Sequence, residues 1–438
     1  MNGIVLDTCA GPGGWTVGLG MLGIHDVGIE LDAAACATRA AAGHKTIRAD
    51  ISRYPVHQLA GKTWGQVHSP PCTTFSMAGK RAGTAVTDIL AQAIRDAFAG
   101  RKTRALRRRE MARVLRAAWW PSPKLTREQR SAKIWAAVRS ASLVTEPARY
   151  IVAGKPEWVA LEQVPAVLPL WQVYAEELAK LGYHTWCGKL NAADYGVPQT
   201  RERAILIASR TRKVYRPEPT HYDPRKGMQL WGTPWVSMAD ALGWGATGRP
   251  GPAVTAGGTS TGGAEPFPTR ARNLLEAERD AGNWILHTNR DQRPDGRRQT
   301  ADPRTAPAPA PAPALTSKSG GQWQLRRNRG AGLLERGGPR RDHPLAEPAP
   351  TITGGETGRP RLSWVQEQKS VRISVEEAAA LQSFPPGYPW QGTQTKAYEQ
   401  IGNAWCPRAA AAVVGEATGL DWRSAVTRYY GEGQEGAA

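Results

Sequence analysis

Short apolar runs alternate with helical patterns through the first part of the chain. The runs are typical of buried strands, and the segments between them are rich in alanine or carry apolar residues at helical spacing. Strands that alternate with helices predict βαβ units, a parallel sheet and right-handed crossovers. The strands predicted here are Gly3–Asp7, Asp26–Leu31, Lys45–Ala49 and Gln66–Ser69, with helices over Trp15–Leu22 and Ala33–Ala42.

The same alternation returns after residue 150. Apolar runs predict strands over Trp158–Glu162, His184–Leu190 and Arg203–Ala208, and helical spacing predicts a helix over Leu170–Leu181. Both parts of the chain therefore favour an α/β fold.

A strongly basic stretch separates these two parts, over residues 95–140. It is densest at Arg101–Arg109, which reads RKTRALRRR. The spacing of apolar residues predicts one basic helix over Ala97–Leu115 and a second over Glu128–Leu143. Such a stretch can be a solvated charged face or an insertion that contacts phosphates. The second interpretation is favoured.

The pattern changes again from residue 210 to residue 370. This part loses its periodicity and is rich in Gly, Pro, Arg and Trp, which indicates a loop-rich domain with short strands. Helical patterns return between residues 374 and 420. Ser374 followed by Glu376 and Glu377 indicates a helix start, and Arg408–Ala417 indicates a further helix.

Composition narrows the class of protein. The chain has 438 residues with 57 Lys and Arg against 38 Asp and Glu, a net charge of +19, which favours a polyanionic partner such as nucleic acid. It holds no apolar run of about 20 residues, and its N-terminus does not resemble a signal peptide. Five scattered cysteines argue against a disulfide framework, and the lack of CxxC spacing argues against structural zinc. The expected compartment is the cytoplasm.

A glycine-rich turn follows the first predicted strand. Asp7–Gly14 reads DTCAGPGG, Glu30 ends the second strand, and Asp50 follows the third. Glycines allow close backbone approach to a ligand, and an acidic residue after the second strand can bind ribose hydroxyls. A dinucleotide site, a nucleoside-cofactor site and a simple tight turn all remain open. Pro12 argues against the dehydrogenase pattern GxGxxG.

Candidate chemical groups follow other strand ends. Ser69–Ser76 (SPPCTTFS) presents Cys72 after a predicted strand, where ligands bind in parallel α/β sheets. Leu161–Pro165 (LEQVP) places Glu162 at another strand end. Gln199–Arg203 (QTRER) can deliver two guanidinium groups, and Gly402–Ala404 (GNA) precedes the last predicted helix.

These segments, in this order, resemble the DNA (cytosine-5) methyltransferase family. The resemblance covers about residues 1–80, 150–209 and 372–418, and Arg372–Tyr388 also resembles a family segment. It implies a Rossmann-like, doubly wound, mostly parallel sheet of the class I S-adenosylmethionine-dependent type. The implied organisation is a catalytic domain at 1–209 with a basic insertion at about 81–149, a loop-rich target-recognition domain at 210–371, and a segment at 372–438 that returns to the catalytic domain.

The resemblance also implies a reaction. Cys72 is similar to the nucleophile that attacks carbon 6 of a flipped-out cytosine, so that carbon 5 accepts the methyl group of S-adenosylmethionine. Glu162 is similar to the carboxylate that binds ring N3 and the exocyclic amine, and Arg201 and Arg203 to arginines that support the base and the catalytic loop. No metal is implied. The residues implied to contact S-adenosylmethionine, or its product S-adenosylhomocysteine, are Asp7, Cys9, Ala10, Gly11, Gly13, Gly14, Glu30, Leu31, Asp50, Ile51 and Asn403.

The implied partner is double-stranded DNA with a specific target sequence, bound by a monomer in a bacterial or phage-infected cell without a membrane anchor. A cognate restriction endonuclease is a candidate second partner. The chain departs from the family pattern at Cys9 in place of Phe, Thr73 in place of Gln, Gln163 in place of Asn, and an extra residue at Trp405–Cys406. Three alternatives remain open: a transfer RNA cytosine-5 methyltransferase, a catalytically dead DNA-binding relative, and an oxidoreductase.

Overall fold

The computed structural model describes residues 3–71, 75, 84–119, 126–227, 232–237, 241–242 and 374–431, together with six short strands between residues 284 and 372. The chain divides into two compact units. The first unit comprises Met1–Leu190, Glu202–Glu218 and Pro407–Ala438, and the second comprises Asn191–Arg201 and Pro219–Cys406.

A seven-stranded sheet forms the centre of the first unit. Its strands are β1 (Ile4–Thr8), β2 (Asp26–Glu30), β3 (Lys45–Arg48), β4 (Thr63–His68), β5 (Trp158–Gln163), β6 (His184–Asn191) and, after the short strand β7 (Gln199–Thr200), β8 (Glu202–Ser209). The strand order in the sheet is β3-β2-β1-β4-β5-β8-β6. Every strand predicted from the apolar runs is present, with its ends shifted by a few residues.

The sheet is mostly parallel, as predicted. The pairs β1–β2, β2–β3, β1–β4 and β4–β5 run parallel, whereas β5 and β8 run antiparallel with Glu162 opposite Ile205. All six residues of β5 are buried. A strand that is covered on both faces reads as a continuous apolar run, which explains why Trp158–Glu162 is recognisable as a strand.

The helices have local signals at several of their ends. The side chain of Asp32 caps α2, and Thr126 and Ser374 each form a capping box with the residue three positions later. The Ser374 cap confirms the helix start predicted from the sequence. The described helices, in chain order, are α1 (Gly14–Met21), α2 (Ala33–Ala41), α3 (Thr87–Phe98), α4 (Arg104–Trp119), α5 (Arg127–Ser142), α6 (Glu146–Gly154), α7 (Leu168–Lys180), α8 (Val375–Leu381), α9 (Gln394–Asn403), α10 (Pro407–Thr418) and α11 (Trp422–Tyr430).

The basic insertion is a set of packed helices. Buried residues of α3, α4 and α5, such as Leu90, Met111 and Val138, share one core cluster with Leu161 of β5 and Leu206 of β8. The insertion therefore belongs to the hydrophobic core of the first unit. No helix in the described part of the chain has the length and apolar character that a membrane span requires.

The prediction of one helix over Ala97–Leu115 is wrong. Helix α3 ends at Phe98, Gly100 adopts a left-handed φ of 68°, and α4 begins only at Arg104. Asp96 explains the break, because its carboxylate accepts hydrogen bonds from Thr103 Oγ1 at 2.7 Å and Arg107 Nε at 2.9 Å. These bonds require the chain to turn back over the end of α3.

A buried polar cluster ties α2 to the sheet. Arg39 is fully buried; its Nη2 lies 3.2 Å from Asp26 Oδ2, its Nη1 donates to Thr16 Oγ1 at 2.7 Å and lies 3.9 Å from Asp7 Oδ2. The guanidinium packs directly over Gly28, where an added Cβ would lie 2.3 Å from Arg39 Nη2. The pairing of Arg39 with Asp26 offsets part of the cost of burying these groups.

The second unit contains short strands, as the sequence predicted for residues 210–370. Strand β7 pairs with β14 (Ala349–Pro350), and β9 (His221–Tyr222) pairs with β10 (Thr233–Pro234). Strand β11 (Trp284–Thr288) runs antiparallel between β12 (Trp323–Arg327) and β13 (Arg341–Pro344). Strands β15 (Ser363–Gln366) and β16 (Lys369–Arg372) form an antiparallel pair. Helices α8 and α9 belong to the same unit.

Candidate active site

The glycine-rich turn has an irregular backbone between β1 and α1. Cys9 adopts a left-handed φ of 57°, Gly11 a φ of 53° and Gly13 a φ of 106°, and α1 begins at Gly14. Ala10 is buried and its N–H donates to Ile29 O at 3.2 Å. An added Cβ at Gly11 would meet no described atom within 4 Å, so the turn borders open space.

Glu30 connects this turn to the end of β2. One of its carboxylate oxygens accepts the N–H of Gly11 at 2.8 Å, and the other accepts the N–H groups of Leu31 at 2.7 Å and Asp32 at 2.8 Å. Three backbone donors therefore fix one carboxylate at the mouth of the turn. A fixed acceptor next to open space suits the hydroxyls of a ribose.

Two apolar residues and a second acid follow the neighbouring strand ends. Leu31 is 60% exposed, which is unusual for a large aliphatic side chain in the first unit, whereas Ile51 is 5% exposed and packs in a small core cluster with Tyr150. Asp50 accepts the N–H of Ser52 at 2.8 Å. An apolar surface beside a carboxylate fits an adenine ring and its amine, so these residues fit a nucleoside cofactor.

Two groups in the turn, the half-buried Cys9 and the buried Asp7, have pKa values shifted from their usual values. Burial raises the pKa of the Cys9 thiol well above its usual value, and the charges of Glu30 and Asp7 raise it further. Burial likewise raises the pKa of Asp7, and the charge of Asp26 adds to this while Arg39 opposes it. This shift favours the thiol form of Cys9, which makes it a poor nucleophile because the thiolate is the form that attacks.

The segment that leads to Cys72 is held at three points. The N–H of Ser69 donates to Thr8 O at 3.2 Å, and Trp15 Nε1 donates to Ser69 Oγ at 2.8 Å. Gln163 Nε2 donates to Pro70 O at 2.6 Å. Cys72 itself lies outside the described residues. The described residues that precede Cys72 are hydrogen-bonded to β1, α1 and the end of β5.

Glu162 and Arg203 form a buried ion pair at the end of β5. Arg203 Nε lies 3.2 Å from Glu162 Oε1, and the two side chains are 10% (Arg203) and 6% (Glu162) exposed. The Arg203 guanidinium also donates through Nη1 to Glu202 O at 2.8 Å. Gln163, which holds Pro70, is the residue after Glu162, so the ion pair and this anchor both lie at the end of β5. The arrangement provides a positioned carboxylate that can bind a polar group of a ligand.

The structure brings most of the predicted residues of the first unit into two groups, one around Glu30 and one around Glu162. Arg201 and Asn403 belong to the second unit. Arg201 is buried there, with its N–H donating to Asn191 Oδ1 at 2.9 Å, and Asn403 is the exposed last residue of α9.

Sequence reasoning missed several supports of the site. Apart from the position of a tryptophan in the first helix, no sequence feature predicted the contact of Trp15 with Ser69. Gln163 carried a signal, since it departs from the family pattern, and its longer side chain reaches Pro70. His68 has no such signal; burial lowers its pKa to about 3, and its neutral ring joins Thr8 Oγ1 at 2.6 Å to Gln66 Oε1 at 3.1 Å beneath the turn.

Comparisons with known proteins indicate which class of protein the chain resembles. The family model described as C-5 cytosine-specific DNA methylase matches residues 4–95, 132–235 and 277–418. The chain is 24% identical over 293 residues to the Type II methyltransferase M.DdeI of Desulfomicrobium norvegicum, a match covering 62% of this chain and 65% of that protein. It is 26% identical over 297 residues to the Type II methyltransferase M.NaeI of Lentzea aerocolonigenes, covering 61% and 56%.

The chain thus spans less than two thirds of the length of these two relatives. Among solved structures, the Dnmt2 methyltransferase of S. pombe aligns over 95% of this chain and 99% of that chain, at 11% identity and a TM-score of 0.47.

Proposed function

The chain belongs to the C-5 cytosine-specific DNA methylase family, and on this premise we propose that it transfers a methyl group from S-adenosylmethionine to carbon 5 of cytosine within a specific DNA sequence. The observation that carries the proposal is the buried Glu162–Arg203 pair at the end of β5, the strand end whose Gln163 also holds Pro70 before Cys72. In this proposal Cys72 supplies the nucleophile and Glu162 the carboxylate that holds the pyrimidine ring.

The cofactor is assigned to the group around Glu30. When bound, S-adenosylmethionine supplies a methyl group made electrophilic by its sulfonium sulfur. The Glu30 carboxylate, fixed by three N–H groups, would bind the ribose hydroxyls, and Asp50 would bind the adenine amine. Leu31 and Ile51 would supply apolar contacts to the ring. The residues whose backbone would form a cradle for the cofactor are Asp7, Cys9, Ala10, Gly11, Gly13 and Gly14.

The reaction needs covalent help from the protein. Carbon 5 of cytosine is a poor nucleophile until the Cys72 thiolate adds to carbon 6, which gives the ring enamine character. Glu162 holds N3 and the exocyclic amine, and in its carboxylic acid form it gives N3 a proton as the carbon–sulfur bond forms. Carbon 5 then accepts the methyl group and loses its proton to solvent, the electron pair of that bond expels Cys72 as a thiolate, and N3 returns its proton to Glu162. Arg203 keeps Glu162 in place through these steps.

The substrate is assigned to double-stranded DNA. A duplex hides the face of the base that reacts, so the cytosine must leave the stack, at a cost of a few kcal/mol. The net charge of +19 favours phosphate binding that offsets this cost. On α4, Arg109, Arg113 and Arg116 are exposed and share one helical face, which makes them the candidates for phosphate contacts within the insertion.

The test is methylation of unmethylated genomic DNA by the purified protein with S-adenosylmethionine, read by sequencing after chemical conversion of unmodified cytosine. The Cys72→Ala variant removes the proposed nucleophile. The Cys187→Ala variant is the matched control, because Cys187 packs against the core and burial raises the pKa of its thiol to about 12.

Methylated cytosines in one short sequence context, lost with Cys72→Ala and kept with Cys187→Ala, are the expected result. Full methylation by Cys72→Ala would disprove the nucleophile. The absence of methylated cytosine with the unaltered protein would disprove the DNA reaction, and transfer RNA would then be tested as the substrate.

A further inference from the structure

Side chains from two distant helices hold the backbone that follows β3. The carbonyl of Ile51 accepts hydrogen bonds from Arg149 Nη2 and from the Tyr150 hydroxyl, both at 2.8 Å. The carbonyl of Ser52 accepts a hydrogen bond from Arg104 Nη1 at 2.9 Å. Three donors therefore converge on two consecutive carbonyls.

These carbonyls belong to the Asp50 loop, defined as residues 50–54. The loop is a tight turn around Asp50, whose carboxylate accepts the N–H of Ser52 at 2.8 Å and whose carbonyl accepts the N–H groups of Arg53 at 2.9 Å and Tyr54 at 3.0 Å. Because the carboxylate is bonded to the backbone that the donors hold, its position depends on them.

A buried carboxylate orients the two arginines. Glu146 is 2% exposed; its Oε1 lies 2.5 Å from Arg104 Nη2 and its Oε2 lies 2.8 Å from Arg149 Nε. One edge of each guanidinium therefore contacts Glu146, and another edge donates a hydrogen bond to the Asp50 loop. The guanidinium plane is rigid, so a change at one edge shifts the other.

The two arginines have different origins in the chain. Arg149 lies on α6, within the part that the family model matches. Arg104 is the first residue of α4, within residues 96–131, which the family model leaves unmatched. Within the basic insertion, residues 96–131, which the family model leaves unmatched, therefore add a donor of their own to a loop that the family match includes.

We propose that Arg104 is a positioning residue for the cofactor: the insertion sets the Asp50 loop through Arg104, and so sets the affinity for the adenosine part of the cofactor. This inference rests on the proposed use of S-adenosylmethionine. The packing role of α4 and this role are separable, because the core contacts of α4 come from other residues, such as Met111 and Leu115.

The test compares four proteins by calorimetric titration with S-adenosylhomocysteine and with 5′-deoxy-5′-methylthioadenosine, which lacks the amino-acid part. They are the unaltered protein, Arg104→Met, Arg104→Lys and the control Arg95→Met. Methionine keeps an unbranched apolar stem and removes the guanidinium. Arg95 is also an arginine that pairs with a glutamate, Glu176 at 3.4 Å, but both are exposed.

Arg104→Met is expected to raise the Kd of both ligands by the same factor, about tenfold, which corresponds to about 1.4 kcal/mol. Arg104→Lys should recover part of the affinity. The single ammonium of lysine can contact Glu146 or the Asp50 loop, but it cannot bond both at once as the forked guanidinium of arginine does. Arg95→Met should bind both ligands as the unaltered protein does. In methylation assays, Arg104→Met should raise the KM for S-adenosylmethionine and leave kcat at saturating cofactor unchanged.

Other outcomes would overturn the inference. A lower Tm with an unchanged Kd would make Arg104 purely structural, and a loss confined to S-adenosylhomocysteine would place its effect at the amino-acid end. If Arg104→Met does not fold, an unchanged Kd in Arg104→Lys would overturn the inference in the same way. Failure of the unaltered protein to bind either ligand would instead contradict the proposed function.

Discussion

Arg203 Nε lies 3.2 Å from Glu162 Oε1 where β5 and β8 run antiparallel. The pair is buried, so removal of one member would leave an uncompensated charge, a change that costs about 3–5 kcal/mol in buried pairs. The antiparallel pairing places Glu162 opposite Ile205, two residues from Arg203, on the neighbouring strand. The direction of one strand thus supplies the partner that holds the proposed acid in place.

Glu162→Gln is predicted to slow methyl transfer and also to lower the free energy of unfolding, because Arg203 loses its buried charge partner. Glutamine can still accept a hydrogen bond from Arg203, but it cannot give a proton to N3 of the base. General acid–base catalysis contributes about 10²–10⁴-fold, so a loss of this size is expected in single-turnover methylation. Glu176→Gln, an exposed carboxylate on α7, is the matched control. A single-turnover rate of Glu162→Gln equal to that of the control would remove Glu162 from the chemistry.

Glu30→Gln is predicted to weaken cofactor binding and to leave DNA affinity unchanged. The carboxylate accepts three backbone N–H groups, and an amide would turn its NH₂ toward at least one of them. Hydrogen bonds to a charged group contribute about 1.5–3 kcal/mol each, so a Kd raised at least tenfold is expected. Titration with S-adenosylhomocysteine and DNA gel-shift assays without cofactor measure the two effects. A weaker DNA complex with normal cofactor binding would contradict the assignment.

Asp96→Asn is predicted to destabilise the insertion in a pH-dependent manner. Burial alone would raise the pKa of Asp96, but hydrogen bonds from Thr103, Gln92 and Arg107 outweigh it and lower the pKa to about 2. Since the folded pKa lies below the unfolded value of about 3.9, the charged carboxylate stabilises the fold by on the order of 2 kcal/mol above about pH 4. This contribution is lost as the pH falls toward 2.

Denaturant unfolding of the unaltered protein and Asp96→Asn checks this. The difference in free energy of unfolding should be largest at neutral pH and should shrink as the pH is lowered from about 4. A difference that stays constant from neutral pH down to about pH 2 would show that the charge of Asp96 does not stabilise the fold.

Replacing Arg109, Arg113 and Arg116 by Gln is predicted to weaken DNA binding for every sequence. Each lost phosphate contact should reduce the slope of log Kd against log salt concentration by about 0.9. Arg107 is a poor target for this test, because it bonds Asp96 and Glu110 within the protein. Lys180→Gln, an exposed cation on α7 paired with Glu177, is the control. An unchanged slope in the triple variant would identify this face of α4 as solvated surface.

The sequence predicted the sheet well because its strands carry their own signal. Buried strands such as β5 are continuous apolar runs, and the glycine turn, Glu30 and Glu162 stand at strand ends that the pattern locates. Helix boundaries in the insertion were less predictable. The apolar spacing continues from Ala97 to Leu115, but hydrogen bonds to Asp96 and the left-handed Gly100 interrupt it, and such tertiary bonds leave no periodic trace.

The supports of the site could not be predicted for the same reason. Arg104 reaches the carbonyl of Ser52 across a long interval of sequence, and nothing in RKTRALRRR distinguishes the arginine that faces the Asp50 loop from those that face solvent. No sequence signal indicated the direction of β8 relative to β5, although this direction decides which residue lies beside Glu162. These features depend on how elements pack, which a local pattern does not contain.

The cluster around Arg39 restricts how this part of the chain can evolve. A side chain at Gly28 would collide with the guanidinium, with Cβ only 2.3 Å from Nη2. Losing Arg39 first would leave Asp26 buried beside Asp7 without their shared cation. Each single substitution therefore produces a protein with either a steric clash at Gly28 or an uncompensated buried charge. Substitutions at these positions should accordingly appear together in related chains rather than one at a time.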